Sequence, residues 1–259
     1  MPDLRITLIQ SEIIWEDIEA NLQMFDEKIN KISGKTEIVI LPEMFTTGFT
    51  MNSKYLSEGI NGRSINWMKR KSKQINAIIT GSLIINENGK YYNRLIWAVP
   101  NGSIGYYDKR HLFSLGNENQ HYSPGNKRLI ASVKGWKICL NICYDLRFPV
   151  WSRNQNGTEY DILIYIANWP YKRIFAWNTL LIARAIENEC YVIGVNRIGT
   201  DGNKIIYKGN SSLIDPLGKI LYRKYKYEDI ISFIISKNKL KTIRGKFPFI
   251  HDTDKFIIQ

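Results

Sequence analysis

The chain has 259 residues, of which 44% are hydrophobic and 23% charged, and its formal net charge is +12. This length suits one large α/β domain over residues 1–259, and no apolar stretch reaches the roughly 18 to 20 residues that a membrane span requires. The first residues lack a signal-peptide pattern, and the three cysteines, Cys139, Cys143 and Cys190, lack the spacing of a disulfide framework. We therefore expect a soluble, cytoplasmic protein with free thiols and no membrane partner.

The positive charge is compatible with a non-catalytic protein that binds nucleic acid or another anionic surface. The basic residues are, however, spread from Lys28 to Lys255, and only residues 69–73 form a tight run. That run, in WMKRKSK, has helical spacing, which is typical of a solvated helix face. We expect no nucleic-acid partner, and a basic binding protein stays the alternative from another functional class.

The first half of the chain indicates strands and helices in alternation. Leu4 to Gln10 alternates around β-branched residues and predicts a first strand, and Asp17 is a candidate N-cap of the helix that follows. The further elements predicted here are a strand from Glu37 to Leu41, a helix from Ser64 to Gln74, and strands from Ala77 to Asn86, Tyr91 to Val99 and Ser103 to Tyr107.

The second half continues this pattern of strands and helices, which favours an α/β fold. The predicted elements are strands from Arg128 to Val133, Trp136 to Ile142 and Asp161 to Ile166, a helix from about Ile174 to Glu189, and a strand from Tyr191 to Asn196. No linker or internal repeat divides the chain. We expect residues 238–259 to form an irregular, basic C-terminal extension.

Three polar residues stand where predicted strands end. Glu43 lies in VILPEMFTTGF, Lys109 in GYYDKRHLF and Cys143 in LNICYDLRFP, where Pro149 is suited to begin a short helix. Taken singly, each residue has an ordinary structural interpretation: a capping glutamate, a solvated lysine and an inert buried cysteine. Their arrangement in the chain is more informative than any one of them.

The segments LPEMF, YDKRHLF and CYDLRFP, in this order, resemble the three catalytic blocks of the nitrilase superfamily of carbon-nitrogen hydrolases. The spacings, 66 residues from Glu43 to Lys109 and 34 from Lys109 to Cys143, are similar to those of that family. The chain looks most like the omega-amidase branch, which hydrolyses the terminal amide of short 2-oxo dicarboxylic acid monoamides. The resemblance implies a four-layer αββα sandwich, no cofactor, and a homodimer or larger homo-oligomer.

The resemblance also implies a role for each residue of the site. Cys143 is expected to attack the amide carbonyl and form a thioester, with Glu43 as proton acceptor and donor. Lys109 is expected to favour the thiolate and, with the backbone N–H of Tyr144, to stabilise the oxyanion. Glu118, seven residues before the glycine of an SPG turn, corresponds to a supporting carboxylate that is common in the family.

Substrate binding requires a cation for the free carboxylate of the amide substrate. Arg147, four residues after the nucleophile, is the candidate for a bidentate contact, and its alternative is a structural ion pair with the acid two residues before it. Lys172 or Arg173 is expected to help neutralise the carboxylate. Trp169 is expected to form one wall of the pocket, and Phe45 to close the opposite side.

Other chemistries are less well supported by the sequence. A Cys–His hydrolase would use His111 or His121, both of which precede Cys143. No zinc spacing and no Gly-rich phosphate loop occurs, so we expect neither a metal nor nucleotide-dependent chemistry. The remaining alternatives are other activities of the same superfamily: an aliphatic amidase, a carbamoylase or a nitrilase.

Overall fold

The computed structural model describes residues 2–155, 157, 159–254 and 256–258, and two β-sheets form its centre. The first sheet has the strand order β13-β1-β2-β3-β4-β5, in which β1, β2 and β3 are parallel and the other pairs antiparallel. Its strands are β1 (Leu4–Gln10), β2 (Ile38–Ile40), β3 (Ile78–Glu87), β4 (Lys90–Ala98), β5 (Ile104–Asp108) and β13 (Asp229–Ile235).

The second sheet has the order β10-β11-β9-β8-β7-β6, with β12 paired to β11. Strands β7, β8 and β9 are parallel, and the other pairs are antiparallel. The strands are β6 (Leu129–Val133), β7 (Trp136–Ile142), β8 (Ile162–Ala167), β9 (Tyr191–Asn196), β10 (Ile198–Thr200), β11 (Ile206–Ile214) and β12 (Ile220–Tyr225).

Helices cover the outer face of each sheet. The α-helices are α1 (Ile18–Asn30), α2 (Ser53–Leu56), α3 (Arg63–Ile75), α4 (Glu118–His121), α5 (Pro149–Ser152), α6 (Ile174–Asn188) and α7 (Lys237–Lys246), with 3₁₀ turns at 114–116, 143–147, 171–173 and 249–252. Helices α1 and α3 pack on the first sheet and α6 on the second. The predicted αββα sandwich is therefore confirmed.

The period of two in the strands explains why the sandwich has buried faces on both sides of each sheet. In β2, Ile38 and Ile40 belong to the apolar core between the sheets, whereas Val39 packs towards α1 and α3. The predicted cap of α1 is also present, because the side chain of Asp17 accepts the backbone N–H of Ala20 at 3.0 Å. Strand β2 is thus buried on both sides and delivers the chain to the sheet edge at Glu43.

The prediction of an irregular segment over residues 238–259 is wrong for its first part, because α7 runs from Lys237 to Lys246. The helix has few apolar residues and is held by charge: Lys237 pairs with Asp161, and Arg244 donates to the backbone O of Tyr160 at 2.6 Å. An apolar periodicity therefore could not predict it. Lys255 and Gln259, in the same predicted segment, lie outside the described residues.

The core between the sheets takes residues from Leu4 to Leu240. Within the described ranges, no helix is long and apolar enough to cross a bilayer.

Candidate active site

The three residues at predicted strand exits meet at one edge of the sandwich. Glu43 follows β2 and Lys109 follows β5, both in the first sheet, while Cys143 follows β7 in the second. Strands β2, β5 and β7 all end at this edge, as expected of a ligand site beyond the carboxyl ends of strands. The two sheets therefore both supply groups to a single site.

Glu43 is fully buried, and donors surround its carboxylate. Oε1 accepts Lys109 Nζ at 2.9 Å and Asn93 Nδ2 at 2.8 Å, and Oε2 accepts the backbone N–H of Asn168 at 2.7 Å. Asn168 Nδ2 also donates to the backbone O of Glu43 at 2.6 Å. These contacts hold both the carboxylate and its backbone in one orientation.

Lys109 lies between two carboxylates. Its ammonium is 2.9 Å from Glu43 and 2.9 Å from Glu118, and Glu118 also accepts the backbone N–H of Phe113 at 2.6 Å. Burial by itself lowers the pKa of Lys109, but Glu118 and Glu43 outweigh it, so that this pKa lies above its ordinary value. Burial raises the pKa of Glu118, and Lys109 opposes that rise.

Cys143 is the first residue of the 3₁₀ turn that follows β7, and its backbone has a φ of +44°. A non-glycine residue in this region is strained, and such strain is common where a turn presents a nucleophile. Desolvation raises the pKa of the thiol well above its ordinary value, Glu43 adds to the rise, and Lys109 opposes it. Because the Glu43 carboxylate raises the pKa of the thiol, it lies near enough to serve as the proton acceptor.

A cavity of about 190 Å³ lies over Cys143 and Lys109. Its walls are largely aromatic, and the aromatic lining residues are Phe49, Phe113, Tyr144, Trp169 and Tyr207. Arg147 and Arg173 also line it, as do Asn203 and Ile205 from the β10–β11 hairpin. A small apolar chamber with a few polar groups is the ordinary form of a small-molecule site.

The model of the carbon-nitrogen hydrolase family matches residues 5–244. The chain belongs to that family. Its relatives include the omega-amidase YafV of Escherichia coli K12, 44% identical over 99% of both chains, and the 2-oxoglutaramate amidase of Bacillus subtilis, 32% identical over 96% of this chain and 97% of the relative. A CN-hydrolase superfamily protein of Xanthomonas campestris, 41% identical, superposes over 100% of both chains with a TM-score of 0.98.

The resemblance to the nitrilase superfamily and its omega-amidase branch, predicted from three short segments, is thereby confirmed. This carbon-nitrogen hydrolase brings together all four residues that were predicted to carry its chemistry, Glu43, Lys109, Glu118 and Cys143. Glu118 is buried and contacts Lys109, whereas a glutamate on an exposed loop would face solvent. Tyr144, whose backbone N–H was predicted to face the oxyanion, lines the cavity.

Arg147 and Arg173, both predicted to contact the substrate carboxylate, line the cavity. Their guanidinium groups lie over aromatic walls of the cavity, Arg147 at 5.2 Å from the Trp169 ring and Arg173 at 5.0 Å from the Phe113 ring. Neither forms an ion pair with a residue that the structure describes. The alternative ion pair of Arg147 with Asp145 is wrong, because Asp145 binds other donors.

Two residues of the predicted substrate site lie elsewhere. Phe45 is fully buried on the helix side of the first sheet, where its ring packs edge-on against Phe25 at 5.4 Å. Gly81 makes this possible, since a Cβ there would come within 2.8 Å of the Phe45 ring. Lys172 is exposed in its 3₁₀ turn and does not line the cavity. Phe49, rather than Phe45, lines the substrate cavity.

Sequence reasoning missed the amides that hold Glu43. Asn93 lies within the apolar strand β4 and donates to Glu118 at 3.2 Å as well as to Glu43. Asn168 is the first residue after β8. No clear signal in the sequence pointed to Asn93, because Arg94 follows it directly in β4. The strand-exit argument applied to Cys143 extends to Asn168.

The Cys–His alternative is disfavoured by the contacts of the histidines. His111 Nδ1 bonds to Asp145 at 2.8 Å, and the ring stacks on Phe148 with centroids 3.8 Å apart. His121 is exposed in α4 and does not line the cavity over Cys143. Among the described residues, no group of three or more potential ligands could hold a metal ion.

The raised pKa of Cys143 predicts that this hydrolase keeps a neutral thiol before substrate arrives. We expect the ultraviolet difference spectrum between the wild type and Cys143→Ser to show no thiolate absorbance from about pH 6 to about pH 8. Cys139 and Cys190 are present in both proteins, so their absorbance cancels in the difference spectrum. Thiolate absorbance that appears anywhere between about pH 6 and about pH 8 would contradict this account of the site.

Proposed function

We propose that this chain is an omega-amidase that converts 2-oxoglutaramate or 2-oxosuccinamate to the 2-oxo acid and ammonia. Two relatives carry names of this activity, the omega-amidase YafV and the 2-oxoglutaramate amidase. The observation that carries the proposal is a pair of guanidinium groups, Arg147 and Arg173, on the wall of a cavity that contains the Cys143 thiol. Such cations suit a substrate with a carboxylate at one end and an amide at the other.

The first step forms a bond between Cys143 and the amide carbon. Because burial raises the pKa of the thiol, Glu43 takes the Sγ proton as the sulfur attacks. The carbonyl π electrons move to oxygen, and the resulting oxyanion is stabilised by Lys109 Nζ and the backbone N–H of Tyr144. Lys109 lowers the thiol pKa only in part, so it stabilises charge during the reaction rather than a resting thiolate.

The second step expels ammonia. The protonated Glu43 gives its proton to the nitrogen, the C–N bond breaks, and a thioester to Cys143 remains. Water then gives a proton to Glu43 and attacks the thioester, forming a second oxyanion at the same donors. The C–S bond breaks, the acid product leaves, and Cys143 recovers its proton from Glu43.

Glu118 and Asn93 act through Lys109 and Glu43. Glu118 accepts two contacts from Lys109 Nζ, at 2.9 and 3.0 Å, and fixes the ammonium where the oxyanion forms. Asn93 donates to both carboxylates and so keeps them apart on either side of the ammonium. Their proposed role is to preorganise the site.

The distal carboxylate of the substrate binds Arg147 and Arg173 in this proposal, with Trp169 and Phe113 beneath the guanidinium planes. An aliphatic amidase, a carbamoylase or a nitrilase would use the same thiol and carboxylate. A simple aliphatic amide or nitrile has no carboxylate and does not require two cations in the acyl pocket, which favours the omega-amidase over those two activities. A carbamoyl amino acid also carries a carboxylate, so the names of the relatives and the substrate panel distinguish the carbamoylase. A basic binding protein would not require a buried lysine between two carboxylates.

Assembly and location stay predictions from the sequence. The outer face of α6 exposes Phe175 and Ile186, and Leu217 in the adjoining turn extends this apolar patch, which is suited to contact with a second copy.

Cys139, Cys143 and Cys190 are free, as expected of a protein in the reducing cytoplasm.

A substrate panel tests the proposed function. We expect ammonia release to be fastest from 2-oxoglutaramate and 2-oxosuccinamate, slower from glutamine, and slow or absent from a carbamoyl amino acid and a simple nitrile. Cys143→Ala should abolish release from all of them, because no other thiol faces Glu43 within the described residues. Activity on only the carbamoyl compound or the nitrile would overturn the omega-amidase assignment.

The carboxylate site has a separate test. Arg147→Met and Arg173→Met should each raise KM for 2-oxoglutaramate by roughly ten- to a hundredfold, the worth of a charged hydrogen bond. The KM for a short neutral amide should stay unchanged in both. Lys172→Met is the matched control, since Lys172 is next in the chain but outside the cavity. Equal losses with the charged and the neutral amide would argue against a carboxylate site.

A further inference from the structure

One buried carboxylate near the site takes no part in the chemistry proposed above. Asp145, two residues after Cys143, is fully buried and accepts four hydrogen bonds. Its Oδ2 accepts the hydroxyl of Tyr107 at 2.7 Å and the backbone N–H of Ile142 at 3.0 Å. Its Oδ1 binds the backbone N–H of His111 at 3.0 Å and Nδ1 of the same ring at 2.8 Å.

Three of these four contacts come from the segment that carries Lys109. Tyr107 lies two residues before Lys109 and His111 two residues after it, so Asp145 holds the segment on both sides. Tyr107 is fixed further, because its hydroxyl accepts the indole N–H of Trp151 at 2.9 Å. The fourth contact, with Ile142, closes the turn in which Cys143 has its positive φ.

The position of Asp145 matters because Cys143 and Lys109 belong to different sheets. The interface between the sheets is mainly apolar, and apolar packing is non-directional. Oxyanion stabilisation requires the attacking atom and the donor to be held within about 0.5 Å of the productive geometry. Directional bonds across the sheets supply that precision, and those of Asp145 join the nucleophile turn to the Lys109 segment.

We propose that Asp145 is a positioning residue that sets the distance and orientation between Cys143 Sγ and Lys109 Nζ. This inference rests on the proposed roles of those two groups. Asp145 does not line the substrate cavity, so its loss should lower turnover and leave substrate binding unchanged. If Asp145 had only a structural role, its loss would lower the stability of the protein and leave turnover unchanged.

The test is Asp145→Asn, which keeps the shape of the side chain. Whichever oxygen the amide nitrogen replaces, two donors lose their acceptor. A displacement of about 1 Å can cost about a hundredfold in rate, so we expect kcat to fall by roughly ten- to a hundredfold with KM within about twofold of wild type. Rates are normalised to folded protein and measured on the panel substrate that the wild type turns over fastest, so failure of the omega-amidase assignment leaves this test intact.

Asp215→Asn is the matched control. Asp215 is also buried and accepts the backbone N–H groups of Leu217 and Lys219, both at 3.0 Å, in the turn between β11 and β12. We expect this variant to lose stability but to keep the kcat and KM of the wild type. A similar fall in kcat in both variants would show that any lost buried bond lowers turnover, and would overturn the proposal.

A milder variant keeps the proposal testable if Asp145→Asn fails to fold. Tyr107→Phe removes one donor from the Lys109 side and leaves the bond to Ile142. It should lower kcat less than Asp145→Asn, again without a change in KM. An unchanged kcat in Tyr107→Phe, or a rise in KM, would contradict the proposal.

Discussion

The site depends on one buried ammonium group. Lys109 is about 1% exposed and lies 2.9 Å from each of two carboxylates, which replace the water that the charge has lost. Removing the lysine would leave Glu43 and Glu118 facing each other in a dry interior, and removing either carboxylate would leave the ammonium undercompensated. The Lys109 ammonium, which is proposed to stabilise the oxyanion, therefore also compensates the charge of two buried carboxylates. The stability of the fold and the chemistry of the site depend on the same atoms.

The second constraint is that the reacting groups are divided between two sheets. Glu43 and Lys109 come from the first sheet and Cys143 from the second, and the core between the sheets is apolar. Polar links also cross this boundary near the site: Asn168 donates to Glu43, and Asp145 binds the segment around Lys109. The apolar core supplies most of the burial, while these few directional bonds define how the sheets are aligned.

Much of this arrangement could be predicted from the sequence because the strands are strongly apolar and their ends are marked by polar residues. Glu43, Lys109 and Cys143 stand out at strand exits, and the short segments around them identify the family. Phe45 could not be placed in this way, because its direction depends on the absence of a Cβ at Gly81, which is distant in the chain. Helix α7 escaped prediction because its buried apolar residues are few, Leu240 and Ile243, and ion pairs with Asp161 supply much of its contact with the domain.

The central claim, that Cys143 carries the acyl group, is tested most directly by trapping the intermediate. Acid quenching of the enzyme during turnover of 2-oxoglutaramate, followed by intact-mass and peptide analysis, should find an adduct on Cys143. Its mass should equal that of the substrate less that of ammonia, and the adduct should be absent from Glu43→Gln. Turnover that persists in Cys143→Ala, or an adduct on Cys139 or Cys190 in its place, would contradict the account.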